Sequence, residues 1–173
     1  SSAASDVYKR QGPQRLALEN KISLSEAKRF IDSYFSTYPG IKDFIDSQIG
    51  YAKTYGYVST LMGRKRNLPE INSSNRRVQI NAEHMAVNTP IQGSAADLIK
   101  LAMIKIHRSL RKFNARMILQ VHDELVFEVG KESLESFAKV VKDGMERVMK
   151  LKVPLKVKLE CGSTWLDMEA LHL

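Results

Sequence analysis

The sequence predicts an α+β fold, an antiparallel sheet covered by helices. Long apolar stripes at helical spacing occupy most of the chain, and short aliphatic runs lie between them. Two of those runs flank only three polar residues, His122-Asp123-Glu124, which is too short a link for anything but a strand reversal. With 173 residues and 43% hydrophobic content, the length suits one domain that buries roughly 70% of its unfolded surface.

The elements follow in order. Residues 1–11 (SSAASDVYKRQ) show no apolar periodicity and are expected to be a non-native or disordered tail. Ser23 and Glu26 have the spacing of a capping box, and Ala27, Phe30, Ile31 and Tyr34 continue it as a helical stripe. Pro39 ends that helix and opens the next, whose stripe is Ile41, Phe44, Ile45, Ile49 and Ala52. Gly56 closes it. A short strand is expected over 57–61, a basic turn at Gly63-Arg64-Lys65-Arg66, and a loop of cap-type residues over 72–75. A helix then carries Val78, Ala82, Met85 and Ala86 inward and ends before Pro90. A separate long helix runs from Gly93 to about Lys112. Its stripe is Ala95, Ile99, Ala102, Met103, Ile106 and Leu110, widened by Leu98 and Leu101, with Asp97 on the wetter side. Strands are expected over 116–121 and 125–129, an amphipathic helix through Leu134, Phe137, Ala138, Val141, Met145 and Val148, and a last strand over 157–160.

Charge and cysteine usage narrow the function. The net charge of +8 favours a polyanionic partner, nucleic acid ahead of membrane. A single cysteine, Cys161, excludes an intrachain disulfide and fits a reducing compartment. With no apolar run near 18 residues, the chain is expected to be soluble, cytoplasmic and without membrane contact. There is no P-loop, and the four histidines lack zinc spacing with a cysteine. Trp165 is expected to be a packing anchor.

Three groups of residues can carry chemistry. Asp123 and Glu124 sit at the tip of the hairpin, where adjacent carboxylates are comfortable only in water or beside a cation. Their hard oxygens suit Mg²⁺. Arg77, Asn81, His84 and Asn88 are spaced 4, 3 and 4 along one helix face, with Gln92 just beyond. Asn and Gln amides can donate to the acceptors that every base pair shows in the minor groove, which senses duplex shape without reading sequence. The third group is the basic turn with Arg64 and Arg66, which can neutralise phosphates. Each also has a plainer reading, as turn residues, a solvated face and a basic loop.

Taken jointly, NTPIQGSAADLIKLAM (88–103) and ARMILQVHDELVFEV (115–129) resemble the C-terminal part of family A DNA polymerases, the bacterial DNA polymerase I type. The resemblance extends to EAKRFIDSYFSTYPGI (26–41), YGYVSTLMGRKRNLPEINSSN (55–75) and VPLKVKLECGSTW (153–165), and covers roughly residues 15–167. It implies a truncated polymerase domain, with 12–88 the C-terminal part of the fingers and 89–173 the C-terminal part of the palm, whose sheet contains the HDE hairpin. Asp123 would be one of two aspartates holding a pair of Mg²⁺ ions, Glu124 a supporting catalytic carboxylate, and His122 a contact to the primer end. Asn88 and Gln92 would touch the primer-template minor groove, with Arg64, Arg66, Arg77 and His84 as further DNA contacts. His84 departs from the pattern, since the family usually has an arginine there. The family's other metal-binding aspartate, in a DYSQIELR-like segment, and the fingers helix that handles deoxynucleoside triphosphates do not occur in these residues. The expectation is therefore a monomeric polymerase piece, acting in replication or repair when whole and with negligible activity alone. The alternatives are a non-catalytic DNA-binding module, a metal-dependent nuclease using His122, Asp123 and Glu124, and a poorly soluble structural remnant.

Overall fold

A computed structural model describes residues 13–173; the tail expected over 1–11 lies outside the described residues. The chain divides into two compact units, one reaching Ser94 and the other running from Ala95 to Leu173. The α+β expectation holds. The strands, however, form three separate two-stranded antiparallel sheets among the described residues, rather than one sheet.

The first unit opens with helices α1 (Pro13–Asn20), α2 (Leu24–Thr37) and α3 (Pro39–Tyr55). The capping box forms as expected: Glu26 N–H donates to Ser23 Oγ at 3.2 Å, and Ser23 N–H donates to Glu26 Oε2 at 2.9 Å. Phe30 departs from its stripe and is exposed, leaving Ala27 as the buried member. Pro39 takes the first turn of α3, where its missing N–H costs nothing. Gly56 ends α3 at φ 76°, a left-handed conformation that glycine adopts without a Cβ penalty. Strands β1 (Tyr57–Ser59) and β2 (Lys65–Asn67) then pair in register Tyr57↔Asn67, Val58↔Arg66 and Ser59↔Lys65. Lys65 and Arg66 therefore belong to a strand, and the reversal is made by Leu61–Met62–Gly63. The core of this unit is Ala52, Val58, Leu68, Ile71, Ala82 and Ala86.

Helix α4 (Arg76–His107) corrects the largest misreading. It continues through Pro90 instead of breaking there. Asn75 Oδ1 caps its start, accepting from Arg77 N–H at 3.0 Å. Pro90 has no N–H to give back to the preceding turn, and an interior proline costs about 3 kcal/mol. A hydrogen bond from the distant Leu61, a side-chain bond to the Pro90 carbonyl and burial of the preceding turn offset that cost. Ser94 Oγ donates to the Pro90 carbonyl and accepts from Leu61 N–H at 2.8 Å, while Ala86 and Val87 before it are buried. Asp97, expected on the wetter side, is only 8% exposed, and Ala95 from the expected stripe is exposed.

In the second unit β3 (Ala115–Val121) and β4 (Glu124–Val129) form the expected hairpin, in register Val121↔Glu124. A bulge between Met117 and Leu119 turns Ile118 outward, where it is half exposed. Helix α5 (Leu134–Glu146) packs Phe137 and Val141 with Ile106, Leu110 and Ala115. Phe137 sits edge-on to Phe127, ring centroids 5.3 Å apart. Instead of a strand over 157–160, only β5 (Glu160–Cys161) forms, paired with β6 (Glu169–Ala170). The Val157 N–H is taken by Glu146 Oε1 at 3.0 Å, which leaves no strand partner for it. Trp165 is 58% exposed, so it does not anchor packing.

Candidate nucleic-acid interface and hairpin carboxylates

Within the first unit, a groove of about 390 Å³ is lined by Arg64, Lys65, Arg66, Met85, Asn88, Thr89, Gln92 and Gly93. Its shape begins with the small residue Gly93. A Cβ there would lie 2.6 Å from Thr60 Cγ2, so only glycine lets the β1–β2 hairpin approach α4 this closely. Thr60 itself is 5% exposed and grips the reversal: Arg64 N–H donates to Thr60 Oγ1 at 3.2 Å, and Thr60 N–H donates to the Arg64 carbonyl at 3.0 Å. The Arg64 guanidinium then donates to the Gly93 carbonyl at 3.1 Å, and the Arg66 guanidinium meets Met85 Sδ at 3.3 Å. Three cations, Arg64, Lys65 and Arg66, thus line the same groove as Asn88 and Gln92. Asn88 Oδ1 is buried with no hydrogen-bond partner among the described residues.

Of the sequence-predicted DNA residues, Arg64, Arg66, Asn88 and Gln92 come together here, while Arg77 and His84 are not among the lining residues. Arg77 is exposed in the first turn of α4, and His84 is half-buried. Met85, expected inward, is 36% exposed and lines the groove instead. No signal in a helical stripe distinguishes it, because the flanking Ala82 and Ala86 already fill the core side.

In the second unit His122 and Asp123 form the two-residue link between β3 and β4, and Glu124 opens β4. His122 takes φ 53°, a left-handed value that histidine reaches more readily than branched residues. Its carbonyl accepts from Gln120 Nε2 at 2.7 Å, which ties the link back onto β3. His122, Asp123 and Glu124 are all exposed. Their two adjacent carboxylates offer hard oxygen donors, and Mg²⁺ takes one or two protein carboxylates alongside water and phosphate. The donor chemistry fits that ion. Among the described residues no three of His, Cys, Asp and Glu gather around one point, so these residues alone do not build an all-protein cage. No described helix is long and apolar enough to cross a membrane.

A family model described as DNA polymerase family A matches residues 7–167. DNA polymerase I of Bacillus caldotenax is 49% identical over 154 residues, covering 88% of this chain and 18% of that protein. The thermostable DNA polymerase I of Thermus aquaticus is 45% identical over 153 residues, with the same two coverages. Among solved structures, the POL domain of Pol1 from M. smegmatis in complex with DNA primer-template and dNTP is similar at a TM-score of 0.85 and 39% identity, covering 90% of this chain and 28% of that one. The chain thus spans less than a fifth of the length of these curated relatives. On the family match and these identities, the chain belongs to DNA polymerase family A.

Proposed function

We propose that the chain supplies the duplex-holding groove and one metal-binding carboxylate of a DNA-directed DNA polymerase, which transfers deoxynucleotides to a primer 3′-hydroxyl in replication or repair. Residues 12–88 are assigned to the fingers side and 89–173 to the palm side. Arg64 and Arg66 neutralise backbone phosphates, with Arg77 and His84 as outlying contacts. Asn88 and Gln92 place amide donors toward minor-groove acceptors, which are common to all four base-pair orientations. Asp123 would hold Mg²⁺ with Glu124 beside it, and His122 would meet the primer end. When bound, Mg²⁺ supplies charge neutralisation of the triphosphate and activation of the attacking hydroxyl. This chain's own part is to hold the duplex and to keep a pair of oxygen donors exposed at the tip of the β3–β4 hairpin.

The observation that supports this reading most is the gathering of Arg64, Arg66, Asn88 and Gln92 around one groove. A binding titration with labelled primer-template DNA at rising salt tests it. Affinity falls as salt rises, and Arg64→Ala flattens the log–log slope by about 1, the value for one phosphate contact. A salt-independent affinity, or a slope unmoved by Arg64→Ala, contradicts it.

A further inference from the structure

Outside the groove, the first unit carries a cluster of three tyrosines at the end of α3. Tyr51 and Tyr55 are one turn apart, ring centroids 4.5 Å from each other. The left-handed turn at Gly56 brings Tyr57 alongside, 5.6 Å from Tyr51 and 6.5 Å from Tyr55. Strand alternation fixes its direction: Val58 is fully buried in the core, so Tyr57 faces away from it. Tyr51 Oη donates to Tyr57 Oη at 2.9 Å. That bond pushes the Tyr51 hydroxyl above its ordinary range and lowers the Tyr57 hydroxyl, which also feels Lys65. Lys65 Nζ stands 4.2 Å from the Tyr57 ring centroid. Despite this mutual fixing the cluster stays in water, with Tyr55 60% and Tyr51 39% exposed. Aromatic rings normally bury most of their surface, and exposed clusters mark binding surfaces.

We propose that Tyr51, Tyr55 and Tyr57, with Lys65, form a stacking platform for unpaired bases of single-stranded DNA, the template strand where it leaves the duplex. Exposed aromatic rings beside a cation are what sequence-tolerant single-strand binding uses: the rings stack bases and the ammonium meets the phosphates. Lys65 also lines the groove, so one residue belongs to both surfaces and the platform begins at the groove's rim. The chain's net charge of +8 complements a polyanion and disfavours a basic or neutral peptide as occupant. The assignment rests on the groove reading, because the groove supplies the duplex from which the strand emerges.

Fluorescence anisotropy with the full chain tests it on two probes, a blunt duplex and the same duplex with a 5′ overhang of about six nucleotides, a length typical of one single-strand site. The overhang should tighten binding about 5-fold or more, as stacking of even one base would. Tyr55→Ala should abolish that gain and leave blunt-duplex affinity unchanged, while Tyr55→Phe keeps the ring and the gain. No gain from the overhang, or equal losses on both probes in Tyr55→Ala, overturns the platform and leaves the groove reading intact. Binding confined to overhang DNA, with no affinity for the blunt duplex, upholds the platform and overturns the groove.

Discussion

Gly93→Ala is the perturbation whose consequence the structure specifies most closely. The new Cβ would stand 2.6 Å from Thr60 Cγ2, where ordinary contact begins at 3.4 Å. Thr60 is buried and tied to Arg64 through backbone and side chain, so its methyl cannot simply rotate into water. Forcing a methyl into such a contact costs about 1–3 kcal/mol. Alanine also gains about 1 kcal/mol over glycine inside a helix. The net effect is a loss of about 0–2 kcal/mol. A double-mutant cycle isolates the contact itself. Thr60→Ser deletes Cγ2 while keeping the hydroxyl, so Gly93→Ala in that background should express the helix gain without the clash. The coupling energy should be about 1 kcal/mol or more, measured by urea denaturation followed by far-ultraviolet circular dichroism. Coupling below about 0.5 kcal/mol, the level expected of independent sites, would refute the claim that Gly93 is present for the approach of the hairpin.

Three other outcomes follow from the same structure. Asn75→Ala removes the acceptor for the first N–H groups of α4 and should cost about 1 kcal/mol in the same denaturation experiment; a neutral result would mean solvent caps the helix equally well. The Glu26 carboxyl is held below its ordinary value of 4.5 by the Ser23 hydroxyl and backbone N–H. Because the folded-state value is the lower one, the capping contribution is present above 4.5 and is lost as pH falls through that depressed value. Helix content in Glu26→Gln should lack this acid-side step, and an identical acid profile in both proteins would contradict the assignment. Finally, the 173-residue chain should extend no primer in Mg²⁺, since among the described residues no three metal-ligating side chains gather around one point. Extension that Asp123→Ala abolishes would overturn that expectation.

Much of this was legible because the signals are local. The Ser23–Glu26 box, the Pro39 and Gly56 boundaries and the HDE hairpin each depend on a few neighbouring residues, and each formed as expected. Pro90 misled because its cost is local, whereas its compensation comes from Ser94 and Leu61, 33 positions apart. Trp165 and Phe30 misled for the opposite reason: size and spacing announce burial, but burial also needs a facing surface. In the groove, the 4-residue spacing of Asn88 and Gln92 placed both amides on one side of α4. Arg64 joined them through Gly93, which only the close approach of the hairpin makes possible. The tyrosine platform was not legible at all, because Tyr55 and Lys65 meet only after Gly56 turns the chain and β2 folds back on β1.

The central claim is that the groove holds duplex DNA through backbone phosphates and minor-groove acceptors common to every sequence. Its most direct test compares blunt A·T-rich and G·C-rich duplexes in titrations of the chain and of the Asn88→Ala/Gln92→Ala double variant at one salt concentration. The chain should bind both duplexes with similar affinity. The variant should lose about 5-fold or more, to a similar extent on each, as expected for one or two hydrogen bonds. Wild-type affinity unchanged in the variant, or a marked preference for one composition, would contradict it.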